Sequence, residues 1–178
     1  LTARQFGSAG YTVIRAPAVY GPRDRDVLFL FRLARRGIIL RVRNAVREVS
    51  IIHVNDLVRA LLLAAGHPAA DGRTYHVSDG VPHSLDDIAS ALREAVGRGR
   101  SVTIPRFILR LFGLAGDLQG LFTGRPAVLN TGKAEESLQC GWVCDDRAIR
   151  RDLGFESGIT LTDGFRDTAD WYREHGWL

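Results

Sequence analysis

Residues 13–22 read Val-Ile-Arg-Ala-Pro-Ala-Val-Tyr-Gly-Pro. The β-branched start at Val13 and Ile14 predicts a strand over Tyr11 to Arg15. Pro17 fixes φ and removes a backbone donor, and Gly21-Pro22 turns the chain sharply. A buried strand that stops this abruptly delivers its carboxyl end to a surface. In open α/β sheets that is where ligands bind. A second unit, Ser50-Ile51-Ile52-His53-Val54-Asn55-Asp56-Leu57, is apolar almost without a break at its start. That pattern predicts a strand over Ser50 to Val54 buried on both faces.

Helical signals alternate with the strands. Residues 26–36 place Val27, Leu30, Phe31 and Ala34 on one face, and Gly37 suits the end. Ile38 to Val42 reads as a short strand. Asn55 or Asp56 is expected to cap a helix running to about Ala65, before Gly66-His67-Pro68. Thr74 to Val77 is a further strand. Ser84-Leu85-Asp86-Asp87 is a capping-box variant, followed by an apolar stripe at Leu85, Ile88, Ala89, Leu92 and Val96. Residues 105–122 carry Ile108, Leu111, Phe112, Ala115, Leu118 and Phe122 on one side, and residues 123–141 read as irregular loop. Asp145 is expected to cap a helix ended by Gly154. Thr160 and Asp163 cap the last one, with Leu161, Phe165, Thr168 and Tyr172 in register. Strands alternating with helices argue for an α/β fold with parallel pairing.

Composition narrows the partners. The 178 residues are 46% hydrophobic and 25% charged, as in an ordinary globular chain. The net charge is +4, but the arginines are scattered, with short clusters at Arg32/Arg35/Arg36 and Arg41/Arg43/Arg47. No basic stripe interleaved with aromatics is present, so nucleic acid is not an expected partner. Cys140 and Cys144 lack companion ligands at zinc spacing, so no metal is assigned. Two free thiols fit a cytoplasmic location. No apolar run has the length of a membrane span. The chain begins at Leu1 and contains no Met, so it is expected to be part of a longer protein.

Arg15-x-Pro17-x-Val19-Tyr20-Gly21-Pro22 and Ile52-His53-Val54-Asn55-Asp56, in this order, resemble the second half of an extended short-chain dehydrogenase/reductase of the NAD-dependent epimerase/dehydratase family. The resemblance covers nearly the whole chain from Tyr11 to Trp177. It implies the C-terminal portion of a Rossmann-like doubly wound sheet, mainly residues 11–66. Interleaved with it is a small, mostly helical substrate-binding cap, mainly residues 26–50 and 78–178. The family's Gly-rich phosphate loop and its Tyr-x-x-x-Lys pair are absent, so no catalytic residue is assigned. NAD or NADP is then the implied cofactor, held mainly by the missing N-terminal half. Pro17, Ala18 and Val19 are placed at the nicotinamide edge, and Tyr20, Arg47 and Arg125 are candidate substrate contacts. His53 is expected to be a satisfied core residue and Asp56 a carboxylate at the helix dipole.

Two departures bear on the substrate. Nucleotide-sugar members commonly carry an Asn three residues after the strand Arg, where this chain has Ala18. They often carry an Arg seven residues before the Asp of the second unit, where this chain has Val49. A diphosphate needs charge-assisted donors. Apolar residues at both positions resemble the branch with 3β-hydroxysteroid dehydrogenases and dihydroflavonol reductases, and imply a small apolar alcohol or ketone. Phe107, Phe112 and Phe122 are candidates to roof such a pocket. A nucleotide-sugar enzyme and a non-catalytic binding subunit are the alternatives. A bare sheet edge can also pair with a second copy, which leaves a homodimer open.

Overall fold

The computed structural model describes residues 10–42, 48–105, 107–108, 111, 113–115, 117, 131–132 and 141–178. Strands β1 (Val13–Arg15) and β2 (Ala18–Tyr20) form one extended stretch interrupted at Ala16-Pro17. β1 pairs in parallel with β5 (Thr74–His76), Ile14 opposite Tyr75. β2 pairs in parallel with β4 (Ile51–His53), Val19 opposite Ile52. Proline cannot donate to a ladder, so the stretch changes partner where Pro17 stands. The two ladders are stitched together beyond β5: Val77 N–H donates to Arg15 O at 3.1 Å and Asp79 N–H to Ile51 O at 2.9 Å.

Helix α1 (Leu28–Arg35) turns at Gly37, φ 87°, into β3 (Ile38–Val42). β4 runs without a loop into α2 (Val54–Gly66), which returns the chain to β5. α3 (Leu85–Val96) carries the expected capping box, Ser84 and Asp87 satisfying each other's backbone N–H, and ends at Gly97 with φ 78°. A strand not anticipated from sequence follows, β6 (Arg100–Ile104), parallel to β3 with Leu40 opposite Val102. Helices α4 (Arg147–Leu153) and α5 (Leu161–Glu174) complete the order, and Thr160 caps α5 as expected.

Two start sites differ from expectation. His53, not Asn55 or Asp56, is the N-cap of α2: its backbone is extended and its Nδ1 accepts from Asn55 N–H at 3.4 Å. The N-cap of α4 is Asp146, although Asp145 still accepts the Arg147 N–H at 3.0 Å. Asp146 is occupied elsewhere, accepting from Ser78 Oγ at 2.9 Å and Arg150 Nε at 3.1 Å.

The buried apolar side chains form two clusters with β4 between them. Ile51 faces Phe31, Ala34, Leu92, Phe165 and Tyr172 of α1, α3 and α5. Ile52 faces Ala60, Tyr75, Val77, Ile149 and Phe155. β4 is therefore buried on both faces, as its apolar run implies. Each fully buried aliphatic or aromatic side chain contributes about 1.5–3 kcal/mol. Rings knit the first cluster: Phe31 lies 5.6 Å from Phe165 and 5.2 Å from Tyr172, centroid to centroid.

Candidate functional site

β2, β4 and the segment after β5 are parallel, so their carboxyl ends come together. Side chains alternate along a strand, which puts Ala18 and Tyr20 on one face of β2 and Val19 on the other. Ala18 and Val19 are exposed, Val19 by 37%, whereas Tyr20 is buried at 5%. Pro17 is half-buried. Val13 of β1 is also exposed, so the β1–β2 stretch presents a small, largely apolar wall to solvent. The candidate cofactor residues Pro17, Ala18 and Val19 are therefore each at least partly reachable along this stretch.

Tyr20, a candidate substrate contact, is buried among core side chains in this chain. Its ring packs edge-on to His53 at 5.3 Å and tilted on Phe165 at 5.1 Å. Its hydroxyl lies against Gly164 of α5, where any Cβ would collide with it. Burial, reinforced by the charges of Asp79 and Asp56, pushes the phenol well above its usual range. Tyr20 is a packing residue of the core in this structure, which follows from the two-residue period that turns Val19 outward. Arg47 and Arg125 lie outside the described residues, as do Phe112, Phe122 and Cys140.

Behind the wall is a polar knot. Asp56 is fully buried, yet its Oδ2 accepts from Ser157 Oγ at 2.6 Å, Gly158 N at 3.0 Å and Ile159 N at 2.9 Å. Its Oδ1 accepts from Arg59 Nη1 at 2.5 Å. Burial alone would raise this carboxyl's pKa; the hydrogen bonds from Ser157, Gly158, Ile159 and Arg59 outweigh it and hold the pKa below the usual range. The placement of Asp56 at the helix start stands, with an added role: it clamps α2 to the 157–159 loop that leads into α5.

His53 is buried at 1% but only half satisfied. Its Nδ1 accepts from Asn55 N–H, which leaves the proton of the neutral ring on Nε2. Nε2 lies 3.3 Å from Asp167 Oδ2 without hydrogen-bond geometry and has no other partner among the described residues. Burial lowers the His53 pKa, against the opposing pull of Asp167 and Asp56. Its Nε2 also backs onto Gly21, φ 144°, where a Cβ would meet it at 3.1 Å. Sequence gives no signal for the Asp167 approach, because the two residues meet only in the fold. Beside this knot, His83 Nε2 and Asp79 Oδ2 lie 2.5 Å apart, both side chains nearly buried.

A cleft of about 600 Å³ is lined by Tyr11, Ile14, Leu61, Ala64 and Asp71. It lies at the opposite end of β1 from Ala18 and Val19, at the carboxyl end of α2, and is not part of the site. Among the described residues, no helix is long and apolar enough to cross a membrane.

This arrangement has clear counterparts. No family model matches the chain. The ceramide reductase of Caulobacter vibrioides is 30% identical over 177 residues, covering 93% of this chain and 52% of that protein. A UDP-glucose 4-epimerase from Thermotoga maritima, solved with UDP-glucose, superposes with a TM-score of 0.69 at 22% identity. That match covers 97% of this chain and 48% of the epimerase. A dTDP-glucose 4,6-dehydratase from Streptomyces venezuelae, solved with NAD, superposes at 0.64 with 18% identity, covering 94% of this chain and 45% of the dehydratase. The chain spans about half the length of the curated relatives it matches. Its fold is therefore α/β, matching the C-terminal half of Rossmann-like epimerases and dehydratases.

Proposed function

We propose that this chain is the substrate-binding half of an NAD(P)-dependent oxidoreductase of the epimerase/dehydratase family, acting on a hydroxyl or ketone of a small apolar substrate. The observation that carries the reading is the exposed wall of Pro17, Ala18 and Val19 at the meeting point of the strand ends. A flat nicotinamide ring suits such a wall: the side chains are small, apolar and reachable, and Pro17 offers no competing N–H. The bound nicotinamide supplies or accepts the hydride. The chain's own residues exclude water from one face of the ring and fix where it stops. Gly21 and His53 hold the turn that ends the wall. The remaining parts, a Gly-rich loop and a Tyr-Lys pair, belong on this reading to a second half that packs against β1. The charge that selects NAD or NADP belongs there too.

The substrate class rests on Ala18, which offers no donor to a diphosphate, and on the likeness to a protein named for ceramide, a lipid. Arg47 and Arg125 remain our candidates for polar substrate contacts, and Tyr20 supports the wall from behind. On the same reading the enzyme works in the cytoplasm and can pair as a homodimer. The second reading, a nucleotide-sugar epimerase or dehydratase, draws on the likeness to the enzyme solved with UDP-glucose. The test uses the protein encoded by the whole reading frame. Oxidation of NADH or NADPH with a panel of apolar ketones is the expected result. Interconversion of UDP-glucose and UDP-galactose without net NADH consumption would establish the second reading instead. Dinucleotide binding without turnover of any substrate would indicate a binding subunit.

A further inference from the structure

Helix α2 is apolar on the side that this chain leaves bare. Asp56, Ala60 and Ala64 turn to the core and are buried. On the opposite side Val58, Leu61, Leu62 and Ala65 follow at i, i+3, i+4 and i+7, all exposed, Leu62 by 69%. From Ala60 to Gly66 the helix holds no polar side chain, the composition of a helix buried all round. The stripe continues into the cleft of about 600 Å³, where Leu61 and Ala65 share the lining with Tyr11 and Ile14. Ile14 also belongs to an open sheet edge, because among the described residues β1 pairs only with β5. Val13 N–H donates to Arg73 O and Arg15 O accepts from Val77 N–H, so the N–H and C=O of Ile14 face that open edge.

We infer that the α2 stripe, the cleft and the free edge of β1 are one docking surface for the part of the longer protein that precedes Gly10. The first described residues, Gly10 and Tyr11, line the cleft, so the preceding chain joins the molecule there. There is enough of it to cover the surface: this chain accounts for 52% of one curated relative and 51% of another. At 13 residues α2 is too short to cross a membrane. An uncharged helix stripe beside a bare parallel edge calls for an apolar helix face on α2 and a parallel strand on β1. The inference rests on the reading of this chain as half of a longer enzyme. It gives α2 a task separate from the stretch at Pro17, Ala18 and Val19.

The test is maleimide labelling of the whole-frame protein carrying Leu62→Cys, read by peptide mass spectrometry and compared with Glu174→Cys at the exposed end of α5. In native buffer the thiol at position 62 should react about a hundredfold more slowly than the one at position 174, and equally fast in urea. Val58→Cys, one turn earlier and a smaller change, gives the same reading should Leu62→Cys not fold. Leu62→Asp should lower the melting temperature of the whole protein by about 5 °C or more, a shift that an exposed position would not produce. Labelling as fast at positions 62 and 58 as at 174, or an unchanged melting temperature in Leu62→Asp, overturns the inference. So does protection that vanishes on dilution to a monomer in sedimentation, because the occupant would then be a second copy. NADH affinity is read on the same protein. Protected thiols without NADH binding leave the docking surface standing and sink the oxidoreductase reading, and reactive thiols with NADH binding do the reverse.

Discussion

The front and back of β2 invert the usual distribution of polarity. At the back, a carboxylate and an imidazole, Asp56 and His53, are buried to 1% exposure or less. At the front, Val13 and Val19 stand in solvent. Buried polar groups and exposed apolar patches are the informative exceptions in a folded chain. Here they separate two jobs. The back holds the fold together through hydrogen bonds that only this chain supplies. The front makes few demands on the fold.

This contrast can be broken from either side. The largest effect is expected at the back. Asp56→Ala removes the acceptor for Ser157, Gly158, Ile159 and Arg59 and strands two backbone donors. The loss should be about 3–5 kcal/mol in urea unfolding, because each buried donor left without its acceptor costs about 1–3 kcal/mol. A loss below about 1 kcal/mol would mean that the 157–159 loop is held by other means.

Gly164→Ala comes next. The new Cβ meets the Tyr20 hydroxyl, an overpacking worth about 1–3 kcal/mol, partly offset by about 1 kcal/mol of helix propensity. Tyr20→Phe in the same chain removes the closest atom and should recover part of the loss in a double-mutant cycle. Full additivity of the two substitutions would show that Tyr20 is not packed on α5.

Acid separates the two buried groups. His53 has a lowered folded pKa, so the unfolded chain takes up a proton first as pH falls past about 6.5. Its contribution is present above that pH and is lost between it and the lower folded value. Asp56, also lowered, contributes above the ordinary carboxylate pKa near 4 and loses its contribution as pH falls below that. Denaturation free energies measured from pH 8 to pH 3 should show both phases, and His53→Asn should flatten the first alone.

The sequence exposes the local parts of this account and conceals the distant ones. Caps at Ser84 and Thr160 and the Gly37 and Gly154 turns depend on neighbours within a few positions, and all are legible. β6 is not: Arg100, Ser101 and Thr103 are polar, every residue from Arg100 to Thr103 is exposed, and the strand is defined by its partner β3. The true work of Asp56 is also invisible, because its acceptor sites face Ser157, Gly158 and Ile159, about a hundred positions away. The burial of Tyr20 beside an exposed Val19 follows from the strand period. A strand that turns Val19 outward turns the next side chain inward.

The front is where the smallest effect on stability and the most direct functional test coincide. Val19→Asp, at an exposed position, should change the unfolding free energy by no more than about 0.5 kcal/mol. The decisive measurement is the NADH and NADPH affinity of the whole-frame protein, by fluorescence titration, with and without this substitution. If the wall borders the nicotinamide, affinity for the preferred dinucleotide falls by about tenfold or more while the melting temperature holds, because a carboxylate replaces an apolar contact. Equal affinity in the two proteins, or no dinucleotide binding by the wild type, would contradict the assignment of Pro17, Ala18 and Val19.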